Sequence, residues 1–267
     1  MASIKQKAAP ESGSAQVQSL VRGLALLERL AAADDGATLT ELAQAAGLAP
    51  STTHRLLRTL EQERFAHQDP ESGRWSVGVA AFTVGSAFAR ARTFAAVARP
   101  FMRRLVEVGG ETVNLAVEDA GEAVYLAQVE SQHMMRAFAR VGARVPLHGS
   151  GVGKALLAGL PPGEAETLAR RLGLARLTER TLTDSVALLR DLAETRRRGY
   201  AVDDEEHAVG LRCVASTIHD EAGRPLAALS VSGPAARITD ARLDALGRLV
   251  AETCRDITGE LGGRLPG

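Results

Sequence analysis

Residues 38–63 read TLTELAQAAGLAPSTTHRLLRTLEQE, and residues 64–77 continue RFAHQDPESGRWSV. Thr38 and Glu41 have the spacing of a capping box, in which a hydroxyl and a carboxylate each satisfy the other's backbone amide. A short helix from Leu39 to Ala46 is expected next, stopping at Gly47. A second helix opens at Ala49-Pro50-Ser51, with proline in the first turn where its missing N–H costs nothing, and runs to about Glu63. Helix, glycine-containing turn, helix is the helix-turn-helix arrangement. On the second helix Thr53, Leu56, Leu57 and Leu60 share one stripe, while Ser51, Arg55, Arg58 and Gln62 lie opposite with His54 at the edge. A helix buried through leucine and open through serine, arginine and glutamine suits a DNA major groove. Arginine there bonds guanine bidentately, glutamine reads adenine and serine holds phosphate. An ordinary solvated helix face is the competing reading. The adjoining segment weighs against it: Phe65 to Val77 reads as strand, tight turn at Asp69–Gly73 and strand, the wing of a winged helix. Arg74, just past the tip, is placed to reach the DNA backbone or minor groove, and Trp75 reads as a packing residue. The candidate DNA contacts are Thr40, Ser51, Thr52, Thr53, His54, Arg55, Arg58, Gln62 and Arg74.

Outward from this core, Val17, Leu20, Val21, Leu24, Leu27 and Leu30 repeat at helical spacing before Gly36. Met1 to Ala15 is rich in Ala, Ser, Lys and Pro without the apolar core of a signal peptide, and reads as a mobile tail. Downstream, Val77 to Arg90 reads as a linker helix and Thr93 to Val108 as another. Thr112–Val117 and Ala123–Val129 form an antiparallel hairpin around Asp119-Ala-Gly121, with a third strand expected near Arg136–Val141. Helices are expected at Val152–Leu160, Gly163–Leu172 and Asp184–Arg198, then strands at Leu211–His219 and Pro225–Val231 joined by the turn Glu221–Arg224, and a last helix from Thr239 to Leu261. A sheet of hairpins with helices at its ends is an α+β domain. The expected organisation is a tail over 1–15, a winged helix-turn-helix over 16–78, a linker helix over 79–92 and a second domain over 93–267.

Composition supports two soluble domains. The 267 residues are 45% apolar and 24% charged, and no apolar run is long enough for a bilayer. Two cysteines, Cys213 and Cys254, are too few for a disulfide framework and suggest a reducing, cytoplasmic setting. Net charge is zero, and residues 1–80 hold eight Lys/Arg against nine Asp/Glu. DNA affinity must therefore come from where the positive charges point.

In the second domain, His148-Gly-Ser-Gly-Val-Gly-Lys154 is neither a phosphate-binding Walker loop nor a nucleophile elbow, because both need glycine where His148 stands. What remains is a glycine-rich turn opening a helix, whose outward amides and dipole favour a small anion; a plain tight turn is the alternative. Cys213 has three readings: a catalytic thiol if a base such as His207 or His219 lies beside it, buried packing, or a weak donor lining a pocket. Ser230 and Ser232 point to one side of a strand and, with Asp203, would complete a small polar pocket. The run Asp203–Glu206 followed by His207 reads as solvated charge rather than a metal site.

The chain resembles the IclR family of bacterial regulators. Val17-Gln-Ser-Leu, Thr40-Glu-Leu-Ala, Ser51-Thr-Thr-His-Arg-Leu-Leu and Gly73-Arg-Trp carry the likeness in the first domain. In the second it is carried by Gly110-Glu-Thr-Val-Asn, Pro146 to Ala155, Arg198-Gly-Tyr-Ala-Val-Asp-Asp-Glu-Glu, Gly210-Leu-Arg-Cys213 and Ser230-Val-Ser-Gly-Pro234. Within the family the likeness is greatest to its allantoin- and glyoxylate-responsive repressors, on Arg198–Cys213 and Ser232–Asp240. The resemblance implies a GAF-like effector domain, no cofactor and no metal. It implies a homodimer or dimer of dimers on a pseudo-palindromic operator, and effector contacts at Gly151, Val152, Asp203, Cys213, Ser230 and Ser232. Val152 stands where the family usually has alanine, and Arg136–Arg144 is the least similar stretch. The expected function is repression of an allantoin or glyoxylate operon under control of a small oxo-acid such as glyoxylate. The alternatives are a regulator of aromatic-acid catabolism and, from another class, a Cys213-dependent enzyme.

Overall fold

The computed structural model describes residues 16–91, 93–137 and 139–266; the expected tail lies outside the described residues. The chain divides into two compact units, residues 1–91 and 92–267.

The first unit contains α1 (Gln18–Ala31), α2 (Leu39–Ala46), α3 (Pro50–Gln62), β1 (Ala66–Gln68), β2 (Trp75–Val77) and α4 (Val79–Ala91), the last being the expected linker helix. Both bonds of the capping box form: the Thr38 amide donates to Glu41 Oε2 at 2.7 Å and the Glu41 amide to Thr38 Oγ1 at 3.3 Å. Gly47 ends α2 in the left-handed region at φ 64°, where glycine carries no steric penalty. Strands β1 and β2 pair antiparallel as the wing. Trp75 is buried with Leu26, Leu30, Leu42 and Leu57, and its backbone exchanges bonds of 2.8 and 2.9 Å with Ala37, tying the wing to the α1–α2 loop.

The second unit runs α5 (Thr93–Gly109), β3 (Thr112–Asp119), β4 (Glu122–Val129), β5 (Arg144–Pro146), α6 (Gly151–Gly159), α7 (Pro162–Arg171), α8 (Ser185–Arg198), β6 (Ala201–Asp204), β7 (Leu211–His219), β8 (Pro225–Pro234) and α9 (Asp240–Glu260). Its six strands form one antiparallel sheet in the order β5-β4-β3-β8-β7-β6. Strand alternation sorts the side chains. Val113, Leu115, Val117, Val214, Leu229 and Val231 bury one face in a cluster shared with α5 and α9. The other face carries Ala116, Ala123, Ala215 and Ala228, packed with Val152, Ala155 and Leu156 of α6. Helices thus cover both faces of the sheet rather than lying at its ends.

Two strand expectations change. Among the described residues of 136–141 there is no strand; the edge strand is β5, at Arg144–Pro146, paired with Glu122–Val124. The preceding stretch is instead held by side chains, with Arg136 Nε donating to Glu130 Oε2 at 2.6 Å. Strand β6 was hidden in the acidic run: Ala201–Asp204 pairs with Ala215–Arg212 at the opposite edge.

Candidate functional site

On the recognition helix α3, Ser51, His54, Arg55, Arg58 and Gln62 are exposed or half-exposed, as is Thr40 on α2, while Thr52 is half-buried. Thr53 is corrected: it is fully buried and donates its hydroxyl to the Ala49 carbonyl at 3.2 Å. It lies on the leucine stripe and belongs to the core, not to a DNA-facing surface. Arg58 Nη1 donates to Glu61 Oε2 at 2.6 Å, and Glu61 Oε1 accepts the Gln68 amide at 3.3 Å. Glu61 therefore braces the helix against the wing while partly neutralising Arg58. Arg74 makes local contacts in the first unit. Its guanidinium folds back on the α1–α2 loop, donating to the Asp35 carbonyl at 2.9 Å, the Gly36 carbonyl at 2.8 Å and Glu41 Oε2 at 3.5 Å. It fastens the wing through these bonds, with the side chain still 38% exposed.

In the second unit all six effector candidates come together. Asp203, Cys213 and Ser232 occupy partnered positions on β6, β7 and β8, a single row across three strands. Ser230 is two residues along on the same face, its hydroxyl 3.4 Å from that of Ser232. Against this row sits the start of α6. Ser150 caps the helix, accepting the Gly153 amide at 3.2 Å and donating to the Pro146 carbonyl at 2.7 Å. The amides of Gly151 and Val152 take no hydrogen bond among the described residues. A Cβ at Gly151 would lie 2.7 Å from Cys213 Sγ, so only glycine lets the helix end approach the strand this closely. None of the six lines the open clefts of about 780 and 660 Å3 on this unit; all six are buried.

The sequence reading missed several groups around it. Asn114 on β3 donates to Ser232 Oγ at 3.5 Å and accepts from Gln128 Nε2 at 2.9 Å. Its signal was present, since Thr112 and Asn114 alternate with Val113 and Leu115. Lys154 is 0% exposed, with Nζ 2.5 Å from Glu206 Oε1 and 3.1 Å from Asp191 Oδ2. Asp203 Oδ1 accepts the amides of Glu206 at 2.8 Å and His207 at 3.2 Å. The acidic run is thus not a solvated face: Asp203 and Glu206 are buried and organised around a lysine. Among the described residues no cluster of His, Cys, Asp or Glu could hold a metal ion.

Burial governs the electrostatics. It raises the Asp203 carboxyl to about 6 against the pull of Lys154, and Glu206 to about 7. It pushes the Cys213 thiol up to about 12, helped by the neighbouring Asp203 charge. A thiol so protonated is a poor nucleophile. Cys213 Sγ donates weakly to the Val214 carbonyl at 3.8 Å, and its burial gives no activation toward the enzymatic reading.

The comparisons agree with this geometry. Residues 19–70 match the IclR helix-turn-helix domain, and residues 87–259 match the bacterial transcriptional regulator IclR C-terminal domain. The chain is 50% identical over 257 residues to the acetate operon repressor of Salmonella typhimurium, covering 96% of this chain and 93% of that one. It is 44% identical over 245 residues to the HTH-type transcriptional repressor AllR of Escherichia coli, covering 92% and 90%. Among solved structures, an IclR homolog from Microbacterium hydrocarbonoxydans complexed with 4-hydroxybenzoate superimposes with a TM-score of 0.77 at 27% identity, covering 91% of this chain and 98% of that one. Among the described residues no helix is long and apolar enough to cross a membrane. With its winged helix-turn-helix, its two-faced antiparallel sheet and relatives that are repressors and not enzymes, the chain belongs to the IclR family of bacterial transcriptional regulators.

Proposed function

We propose that the chain represses an operon of two-carbon acid metabolism, allantoin or glyoxylate use being the leading case, and that a two- or three-carbon oxo-acid such as glyoxylate controls it. The observation that carries this reading is the wedge of Gly151 against Cys213, with Asp203 and Ser232 in the same strand row. The amides of Gly151 and Val152 offer an anion site at a helix N-terminus. Ser230, Ser232 and the neutral Cys213 thiol supply a few further contacts. Asp203 Oδ1 is engaged by two amides, so Oδ2 remains to accept a bond from the hydrated aldehyde end of glyoxylate. A relative named for an acetate operon keeps the effector in the range of two-carbon acids. So small a ligand gains at most roughly 1.5 kcal/mol per heavy atom, so the expected affinity is micromolar or weaker.

DNA is read by Ser51, His54, Arg55, Arg58 and Gln62 of α3, in a homodimer or dimer of dimers on a pseudo-palindromic operator. Support for pairing comes from exposed apolar residues in the first unit: Val17, Leu20, Val21 and Leu24 at α1, and Val79, Phe82 and Val84 on α4.

Calorimetry with glyoxylate, pyruvate and 4-hydroxybenzoate tests the effector assignment. The expected result is binding of the small oxo-acids by the wild type, lost in Asp203→Ala and weakened in Ser230→Ala/Ser232→Ala. Equal glyoxylate affinity in all three proteins would place the site elsewhere. Binding of 4-hydroxybenzoate alone would favour an aromatic-acid regulon.

A further inference from the structure

One of the two central strands of the sheet buries an amide where its neighbours are apolar. Asn114 on β3 is 2% exposed, between Val113 and Leu115 at 0%. Asparagine is depleted from strands, and a buried amide costs free energy unless it is hydrogen-bonded. The register decides what Asn114 meets. It is paired with Gln128 on β4 and with Ser230 on β8, and Ser232 lies two residues along β8 on the same face. Gln128 Nε2 donates to Asn114 Oδ1 at 2.9 Å, and Asn114 Nδ2 donates to Ser232 Oγ at 3.5 Å. The oxygen of Asn114 is turned to Gln128, and its nitrogen therefore faces the serines. The two bonds run in one direction, from β4 through β3 to β8.

That direction fixes where the protons of the serine pair go. Each hydroxyl has one proton to donate and two lone pairs to accept with. Asn114 takes one lone pair of Ser232, and the hydroxyls of Ser230 and Ser232 are 3.4 Å apart. If Ser232 donates to Ser230, the Ser230 proton is left over; if Ser230 donates to Ser232, the Ser232 proton is. Either way one O–H leaves the pair as a donor. With the Asn114 amide reversed, its oxygen would take the Ser232 proton and Ser230 could donate to Ser232, leaving the pair with lone pairs only. Cys213, partnered with Ser232 on β7, is only a weak acceptor for the spare proton. At the far end of the same row Asp203 supplies a carboxylate. The row thus has an accepting end and a donating end.

We propose that Asn114, held by Gln128, is a positioning residue that fixes the serine pair as a hydrogen-bond donor and so sets the polarity of the acid site. The serine end then takes a group that only accepts, a carboxylate or keto oxygen, and the Asp203 end takes a hydroxyl, as in a hydrated aldehyde. A ligand that brings an N–H to the serine end sets a donor against a donor. Asn114 acts through Ser232 and needs no contact with the ligand. The inference rests on the acid reading of this site and gives a cause for its selectivity.

The test is a double-mutant cycle in the full chain, read by calorimetry with glyoxylate and pyruvate. Gln128 is half-buried, and Gln128→Glu keeps its shape. The new carboxylate cannot donate to Asn114 Oδ1, so the Asn114 amide should turn over, giving its nitrogen to the carboxylate and its oxygen to Ser232. Acid affinity should then fall about tenfold, the worth of one hydrogen bond. The added charge also repels an acid, so the same substitution is made in a Ser230→Ala/Ser232→Ala background. Repulsion would persist there; the effect of the amide should vanish, leaving a loss of at most about twofold. Gln128→Met, which removes the donor without adding charge, should give part of the loss with the same dependence on the serines. Equal losses in the two backgrounds, or unchanged affinity in Gln128→Glu, would overturn the role of Asn114 alone, the acid site itself standing on binding that Asp203→Ala abolishes. A wild type that binds neither acid would overturn the acid reading and this inference with it.

Discussion

Lys154 shows what one residue can decide in this fold. It is fully buried on α6, between Glu206 and Asp191, three residues after the glycine that meets Cys213. Removing one partner of a buried ion pair leaves the other uncompensated, at a cost of about 3–5 kcal/mol. Lys154→Met is therefore expected to lower the melting temperature strongly, and adding Glu206→Gln should restore part of the loss. A Lys154→Met protein as stable as wild type would show that the cluster contributes nothing. The raised carboxyls give a second test. Glu206 goes from 4.5 to about 7 and Asp203 from 3.8 to about 6, so between these limits the folded state binds more protons than the unfolded. Stability contributed by these groups then falls as pH rises through the window and is flat above about 7. His207 and His219, lowered by burial, act in the opposite sense, so the quantity to measure is a difference. Wild type minus Glu206→Gln in melting temperature should grow as pH falls from 7 toward 4.5; a constant difference would mean Glu206 titrates normally. That the six candidate residues would lie together was legible in the sequence, because alternation put Ser230 and Ser232 on one side and the family likeness named the rest. Lys154 was not, because its partners lie 37 and 52 positions away and no local pattern marks a lysine as buried.

At the scale of elements, what was local was legible. The capping box, the proline-opened α3 and the hairpin around Asp69–Gly73 formed where expected because each is decided within a few residues. The two short edge strands were not: three or four residues pair only because a longer neighbour offers a free edge, a condition set by the assembled sheet. The wing shows the same boundary. Its turn was readable, but the fate of Arg74 depends on carbonyls 38 and 39 residues earlier. The recognition helix yields the element-scale prediction. Arg55 and Arg58 are both exposed, but among the described residues only Arg58 has an acidic partner, Glu61. If either reads a guanine, its alanine variant should lose about 1–3 kcal/mol of operator affinity and relax preference at one base pair. If it holds phosphate, the loss should be uniform over sequences and the salt slope should fall by about one. Operator binding by both variants that matches wild type in affinity and salt dependence would remove this face from the interface. Thr53→Ala should act on stability and not on base preference.

At the scale of the whole molecule, the first unit holds too little information to act alone. One recognition helix touches only a few base pairs, and two related by symmetry read a site long enough to be found in a genome. The same unit leaves Leu20, Leu24 and Phe82 exposed at 61, 53 and 75%, more apolar surface than an isolated helical domain normally shows to water. Both facts are met if α1 and α4 pair with a second copy. An effector bound in the second unit changes DNA affinity only if it binds one arrangement of that assembly better than another. Pairing and regulation should therefore be separable by mutation. Leu20→Glu/Phe82→Glu puts charge into the apolar surface while leaving α3 and the proposed acid site untouched. With a DNA fragment selected by the wild-type protein from a random library, the double variant should bind at least about 100-fold more weakly, the scale of lost bivalency. Its glyoxylate titration should be unchanged, because Gly151, Asp203, Cys213 and Ser232 all lie in the other unit. Undiminished operator binding by the double variant would exclude α1 and α4 as the pairing surface, and a parallel loss of glyoxylate binding would mean the substitutions damaged the fold.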